Sequence, residues 1–99
     1  MKILAIEQER PGITAGQFTP QLKQAEAARA WELYQAGLFR EMYFRQDRPE
    51  AILMLECADV AEATDVLNTL PLVKAGLITF DIIPLKAYPG FARLFAAEM

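Results

Sequence analysis

Apolar residues gather along the chain in segments of two lengths. Four short and strongly apolar segments predict β-strands, and these lie at Lys2–Glu9, 38–45, 51–57 and 77–85. Two longer segments, at 20–36 and 60–70, carry apolar residues at intervals of three or four and predict α-helices. The predicted order is therefore βαββαβ, in a single domain of 99 residues that ends in a short tail, 91–99.

Local signals mark both ends of the first predicted helix. Thr19 is a favourable N-cap, Pro20 suits the first helical position, and Gly37 is a natural stop after the last turn. One apolar stripe is expected to face the core, with Trp31 fully packed in it. Its members recur every three residues and are Leu22, Ala25, Ala28, Trp31 and Tyr34.

The order βαββαβ is typical of the split βαβ, or ferredoxin-like, α+β fold. Two helices then pack on one face of a four-stranded antiparallel sheet, and the other face stays uncovered. Hydrophobic residues make up 54% of the chain, which either fills a well-packed core or supplies an additional apolar surface. We favour the second interpretation, in which two copies stack sheet to sheet as a homodimer or as part of a larger homo-oligomer.

Alternation of side chains divides the strand residues between the two faces of the sheet. The more uniformly apolar set is expected under the helices: Leu4, Ile6, Met42, Phe44, Leu53, Leu55, Phe80 and Ile82. The open face then presents Ile3, Ile52 and Met54 with a group of polar side chains. These are Glu7, Glu41, Tyr43, Arg45, Glu56, Thr79 and Asp81.

Carboxylates beside a tyrosine and an arginine on a half-enclosed face predict a small-molecule pocket. Burial and mutual repulsion raise the pKa of a carboxyl group, which suits it to carry a proton near neutral pH. Glu7 and Glu41 are the candidate catalytic bases, and Tyr43 is a candidate for orienting the substrate. The alternative is that these groups form hydrogen bonds and ion pairs at a dimer interface, or face water.

Composition narrows the candidate chemistry. The net charge is −3, and the basic footprint of a nucleic-acid-binding protein is absent from the sequence. The chain has no histidine and one cysteine, Cys57, so imidazole catalysis is excluded and neither a metal nor a cofactor is expected. No apolar stretch approaches the ~20 residues that span a bilayer, and the N-terminus lacks a signal-peptide pattern. A cytoplasmic protein without a membrane partner is expected.

Two passages resemble sequences of the muconolactone isomerase family. The first, residues 35–40 (QAGLFR), joins the first helix to the second strand and is similar to the family's glycine, aromatic, arginine sequence. The second combines residues 70–72 (LPL) with residues 84–89 (PLKAYP), which follow the last strand. The segments between them have nearly the family's lengths.

The resemblance implies a ferredoxin-like domain that dimerises into an α+β barrel, with assembly of dimers into larger rings in the true isomerases. It implies an enzyme that moves a proton within an unsaturated lactone during aromatic-compound breakdown, without metal or cofactor. It also implies that Glu7, Arg40 and Tyr88 border the pocket. Arg40 would hold the substrate's carboxylate or developing enolate, and Tyr43 or Tyr88 would orient it.

The sequence also departs from the family pattern. Tyr88 stands where the family has a histidine before proline, Glu41 where the isomerases often have histidine, and Val73 where the family has an aromatic residue. These differences predict a different substrate.

Two functions therefore stay open. One is an isomerase-like enzyme that acts, without a cofactor, on a small unsaturated lactone or enolisable carbonyl acid. The other is a non-catalytic small-molecule-binding or assembly domain that dimerises through its sheet. Its tail residues Phe91, Leu94 and Phe95 would dock on a neighbouring subunit. The same fold also serves cofactor-free oxygenases and stress-type barrels.

Overall fold

The computed structural model describes residues 1–95 and has the predicted βαββαβ order, with short helices added. The strands are β1 (Lys2–Glu9), β2 (Phe39–Phe44), β3 (Ala51–Glu56) and β4 (Ile78–Pro84). The helices are α1 (Pro20–Gln35), α2 (Val60–Leu67), α3 (Pro71–Lys74) and α4 (Ala92–Phe95), and a turn of 3-10 helix covers Ala15–Gln17. The last four residues of the predicted tail, 96–99, lie outside the described part of the chain.

The strands form one antiparallel sheet in the order β2-β3-β1-β4. Its core lies between one face and the helices, where Ile3 and Leu55 from the sheet pack in one cluster with Leu33 of α1 and Leu67 of α2. Within residues 1–95, no helix packs on the other face of the sheet. The ferredoxin-like α+β prediction is therefore confirmed for the protomer.

The face assignment is correct for three strands and wrong for β1. Ile3, Ala5 and Glu7 are the buried residues of β1, whereas Leu4 and Ile6 lie on the open face. The cause is that both odd-numbered and even-numbered residues are apolar in the first half of β1. Alternation alone therefore does not distinguish the two sides of this strand. The cross-strand pairs show which side of β1 faces the helices, because Ile3 lies opposite Leu55 and therefore shares its face of the sheet.

The predicted stripe of α1 is also wrong. Leu33 is the buried residue of this helix, while Trp31 is 57% exposed and stacks on Tyr34, with ring centroids 5.8 Å apart. A helix turns by about 100° per residue, so Trp31, nine residues after Leu22, points to the opposite side of the helix from Leu22. Leu33, eleven residues after Leu22, points to the same side as Leu22. The residues of the inward face are Leu22, Glu26, Arg29, Ala30 and Leu33.

The helix boundaries follow from the predicted local chemistry. Oγ1 of Thr19 accepts a hydrogen bond from the Leu22 N–H at 3.2 Å, which caps the first turn of α1. Gly37 follows α1 with φ +79, a left-handed conformation that favours glycine. Pro71, which follows the predicted second helix, starts the separate turn α3, a position where its missing N–H costs no hydrogen bond.

Beyond β4 the chain leaves the sheet as an arm, residues 85–95. Tyr88 and Phe91 form an edge-to-face pair with ring centroids 5.2 Å apart. Gly90 lies directly against the Tyr88 ring, where a Cβ atom would meet ring atoms at 2.0 Å, so any other residue there would displace the ring. Large apolar side chains at the end of the arm are mostly exposed, and these are Phe91, Leu94 and Phe95.

Candidate functional site

Glu7 is a carboxylate built into the helix-covered face of the sheet. Only 6% of it is exposed, and it lies opposite Phe80 in the β1–β4 pairing. Its Oε1 accepts a hydrogen bond from the Ala51 N–H at 3.1 Å. Burial raises the pKa of Glu7 above that of an ordinary carboxyl group, and this hydrogen bond opposes the rise.

Glu26 approaches the same region from α1. Its Oε1 accepts a hydrogen bond from the Leu72 N–H of α3 at 2.9 Å, and burial raises its pKa too. The negative charge of Glu26 also contributes to the raised pKa of Glu7, so the two carboxylates share one electrostatic environment.

Glu50 ends the turn between β2 and β3 and is the third acid of this region. It is 6% exposed, and its Oε1 is buried without a hydrogen bond in the described part of the chain. Its nearest cations are Arg45 at 3.5 Å and Arg48 at 3.7 Å, which gives ion pairs but no hydrogen bond. Among the charges that raise the pKa of Glu7, that of Glu50 acts most strongly.

An apolar surface adjoins these acids. Met42 lies opposite Leu53 and Phe44 opposite Ala51, so both side chains are on the helix-covered face. Yet Met42 is 40% and Phe44 76% exposed. Helix α1 therefore leaves the β2 edge of the sheet uncovered, one strand beyond β3 from Glu7. We call Glu7, Glu26 and Glu50, with Met42 and Phe44, the carboxylate site.

The arrangement suits proton transfer. Glu7 and Glu26 are each held through Oε1 by one backbone N–H, and no described residue donates a hydrogen bond to either Oε2. A carboxyl group with a raised pKa exchanges its proton near neutral pH more readily than an ordinary one. Fixed carboxylates of this kind can take a proton from a carbon acid and return it.

The predicted site residues do not converge within the protomer. Glu41 and Tyr43 are on the open face, where the Tyr43 hydroxyl donates to Glu41 at 2.8 Å, and this bond raises the pKa of Tyr43. Glu7 is on the opposite face. The predicted common pocket of these residues on the open face is therefore wrong, because the parity of β1 is reversed.

Arg40 and Tyr88 lie at the far end of the sheet. Arg40 occupies the irregularity between Phe39 and Glu41, and its Nε donates to the Gly37 carbonyl at 2.6 Å. It is level with Leu55, about 13 Å along β3 from Ala51. Tyr88 is 68% exposed, on the arm that follows β4. The protomer brings neither residue to Glu7.

Glu26 and Glu50 are not among the site residues predicted from the sequence. A signal for Glu26 was present, since an acidic residue four positions after Leu22 and seven before Leu33 falls within the inward stripe of α1. Charged residues are almost never buried without a specific partner, so this position marked a candidate site. Glu50 gave no such signal, because its burial depends on how the turn folds over β1.

The cavities of the described part of the chain are not lined by these acids. A groove of about 150 Å³ between α2 and β4 is lined by Thr64, Asn68, Val73 and Phe80, without an ionisable group. In residues 1–95, no group of three or more histidine, cysteine or acidic side chains has the arrangement of a metal site. None of the described helices is long and apolar enough to span a membrane.

Fold and site together define a ferredoxin-like domain with a group of buried carboxylates under its first helix. The model of the muconolactone delta-isomerase family matches residues 4–90. Since this match spans most of the chain, the protein belongs to that family. The resemblance found in the sequence is thereby confirmed.

Solved structures show the same fold. One is 5-chloro-2-hydroxyhydroquinone dehydrochlorinase from Burkholderia phenoliruptrix AC1100, in complex with 2,5-dihydroxybenzoquinone. It is 19% identical, with a TM-score of 0.70 over 91% of this chain and 98% of that one. Another is muconolactone isomerase, 20% identical, with a TM-score of 0.70 over 90% of this chain and 92% of that one. No curated protein matches the sequence.

Proposed function

We propose that this protein is a cofactor-independent enzyme of aromatic-compound breakdown that moves a proton within a small unsaturated lactone or enolisable carbonyl compound. The observation that carries this proposal is the buried Glu7 carboxylate, which has a raised pKa and whose Oε2 accepts no hydrogen bond from residues 1–95. Membership of the muconolactone delta-isomerase family supports an enzyme that processes small molecules of this kind.

In the proposed reaction, the Glu7 carboxylate removes a proton from the carbon next to the substrate carbonyl. The electron pair of that C–H bond moves into the conjugated system, and negative charge collects on the carbonyl oxygen. Glu26, whose pKa is raised by burial, would in its protonated form donate a hydrogen bond to this oxygen and stabilise the enolate. Glu7 then returns the proton to the other end of the conjugated system, so the reaction needs no further reactant.

The test is proton exchange with a panel of unsaturated lactones and enolisable carbonyl compounds in D₂O, followed by NMR. Glu7→Gln should lower catalysed exchange by at least about a hundredfold, the usual contribution of a general base. Glu9→Gln is the matched control, because Glu9 is an exposed acid on the same strand. Equal loss in both variants, or none in Glu7→Gln, contradicts the assignment.

A second candidate is the non-catalytic binding or assembly domain. It is supported by the exposed aromatic and aliphatic side chains of the arm, with Phe95 83% exposed. Under this alternative the carboxylate site shows no exchange activity with any compound, while the arm still holds copies of the chain together.

Pairing through the open face belongs to both proposals. That face presents half-buried Leu4, Ile6, Ile52 and Met54 in neighbouring strands. A contiguous apolar surface of this kind supports a homodimer formed sheet to sheet. Glu41 and Tyr43 would then lie at the interface between the two copies.

A further inference from the structure

We infer that the arm of one copy packs on an apolar flank of a second copy, between α1 and β2, and covers the β2 edge of that copy's carboxylate site. This α1–β2 flank consists of Trp31, Tyr34, Met42 and Phe44. The docking concerns side chains that take no part in the proposed reaction. The covering of the carboxylate site deepens the proposed function and rests on it.

The arm projects from the body of the protomer. The protomer measures 63 × 29 × 22 Å, and its radius of gyration is 16.8 Å, whereas a compact chain of this length has a value of about 13 Å. The Leu85 N–H donates to the Lys2 carbonyl at 2.9 Å. Beyond Leu85, the hydrogen bonds that the arm makes within residues 1–95 are all internal to it. The arm therefore reaches away from its own core.

The end of the arm is an ordered apolar cluster that has no core to enter. Tyr88 and Phe91 pack edge to face, and the Leu94 N–H donates to the Phe91 carbonyl at 3.0 Å. Helix α4 has four residues, and a helix this short is not stable in water without packing. The side chains that would provide this packing, Phe91, Leu94 and Phe95, are exposed. They need an apolar surface outside their own protomer.

The geometry of α1 places two aromatic side chains on the β2 side of the protomer. α1 packs near β2 and α2 near β4, and Arg29 of α1 donates to Thr69, which follows α2. Tyr34 and Trp31 lie about 140° and 160° around the helix from Arg29. Both therefore point away from α2, towards the β2 edge of the sheet.

The α1–β2 flank is apolar on both of its elements. Trp31 stacks on Tyr34, and both rings are exposed. Met42 and Phe44 project from β2 on the same side of the sheet as α1 and are also exposed. Aromatic and methionine side chains that lie together on a surface are typical of the centre of a protein–protein interface.

The topology selects a second copy as the occupant of this flank. The arm leaves the sheet at β4, whereas the flank adjoins β2 at the opposite edge. An arm that extends outwards from one edge is not directed at the flank beyond the other edge of its own sheet. Two copies that exchange their arms cover both flanks in a closed dimer. Each arm then shields the β2 edge of its partner's carboxylate site from water, which strengthens the electrostatic interactions there.

The experiment uses Trp31, the single tryptophan of the chain, as a fluorescent reporter of the flank. An acceptor chain keeps Trp31 and carries Leu94→Asp, which places a charge in the apolar end of its own arm. A donor chain carries Trp31→Phe and keeps its arm unchanged. When donor is added to acceptor, we expect the emission of Trp31 to shift to shorter wavelength, because the donor's arm buries the indole. Pairing through the open face does not produce this shift, since Trp31 lies on the helix side of the sheet.

Two further donors control for the added charge. The Trp31→Phe donor with Leu94→Asp should cause no shift, whereas the Trp31→Phe donor with Ala87→Asp, an exposed position near the start of the arm, should act like the unchanged donor. With all chains folded by circular dichroism, no shift from the unchanged donor overturns the inference. An equal shift from the Leu94→Asp donor also overturns it. So does a short-wavelength emission of the wild type that does not depend on concentration, because the arm then packs on its own chain.

Proton exchange separates this inference from the proposed function. Leu94→Asp should lower Glu7-dependent exchange, and mixing it with Glu7→Gln should restore part of the activity, because a mixed dimer combines an intact Glu7 with an intact arm. Exchange that Leu94→Asp leaves unchanged would keep the proposed function and refute the covering of the site. A fluorescence shift without exchange on any compound would refute the proposed function and leave the docking of the arm established.

Discussion

The N–H of Ala51 donates a hydrogen bond to Oε1 of Glu7 at the position where the β1–β3 pairing ends. The last paired residues are Ile6 and Ile52, so the Glu7 side chain replaces the next backbone partner. This bond ties the buried carboxylate to the first residue after Glu50. The orientation of Glu7 and the fold of the β2–β3 turn therefore depend on each other.

Glu7 should make the protein less stable as the pH rises. Its pKa is higher in the folded than in the unfolded chain, so its protonated form favours folding. The stabilisation that protonated Glu7 contributes is fully present below the ordinary pKa of a glutamate. It is lost as the pH rises through the pKa that Glu7 has in the folded protein. Glu7→Gln should remove this loss and raise the free energy of unfolding at neutral pH by about 0.5–2 kcal/mol.

The measurement is urea unfolding of both proteins across a series of pH values. Glu56 and Asp47 have lowered pKa values, so they make the folded protein more stable as the pH rises. The contribution of Glu7 is therefore the difference in the free energy of unfolding between wild type and Glu7→Gln at each pH. A difference that does not vary with pH would show that Glu7 titrates normally.

The pKa of Glu7 is raised mainly by burial, and the charge of Glu50 should add to that rise. Glu50→Gln removes the strongest of the neighbouring negative charges, so the pKa of Glu7 should fall towards that of an ordinary carboxyl group. NMR titration of the Glu7 side-chain carbon measures this directly and needs no substrate. The same titration of Glu9→Gln should show a smaller fall, and a larger one would refute the assignment of Glu50.

Glu26 should hold α1 to α3 through the Leu72 N–H. Glu26→Ala leaves that N–H without its partner and should lower the free energy of unfolding by about 1–3 kcal/mol. Glu26→Gln keeps an acceptor oxygen in the same place and should recover most of the loss. Chemical denaturation of the two variants tests this, and equal stability of both would show that the hydrogen bond contributes little.

Leu33 and Trp31 give a test of the inward face of α1. Leu33→Ala opens a cavity at a residue that is 2% exposed and should cost about 2–5 kcal/mol. Trp31→Ala removes a side chain that is 57% exposed and should cost less, in spite of its greater size. Thermal unfolding by circular dichroism ranks the two variants, and the reverse ranking would restore Trp31 to the core.

The open face should control self-association. Ile52→Asp places a charge among the half-buried apolar residues of that face and should convert a dimer into monomers. Ala28→Asp puts the same charge on an exposed position of α1 and serves as the control. Sedimentation at several concentrations separates the outcomes. An unchanged dimer in Ile52→Asp would place the interface elsewhere.

Local signals in the sequence predicted the elements well because each depends on a few neighbouring residues. Thr19 caps α1, Gly37 ends it with a positive φ, and the Asp59 side chain caps α2 by accepting from the Glu62 N–H at 2.8 Å. The order of elements then restricts the topology to a small set of folds. The family resemblance rested on residues near two of these boundaries.

The candidate site was predicted less well, because it depends on which side of each element faces inward. Alternation along β1 predicts the wrong face for Glu7, which is buried under the helices, and a period of three along α1 leaves Glu26 out of the predicted stripe. Both errors concern orientation about an element's own axis. Neighbouring residues along the chain fix that orientation only weakly when both sides are apolar.

The sequence by itself determined the βαββαβ order, the ends of the helices and the family, since capping, turn geometry and short motifs act over a few residues. Only the tertiary structure decided that Glu7, Glu26 and Glu50 come together while Glu41, Arg40 and Tyr88 do not. That choice is made by cross-strand pairing and by the packing of α1 on the sheet. These contacts join residues more than forty positions apart, and their energy depends on the whole core.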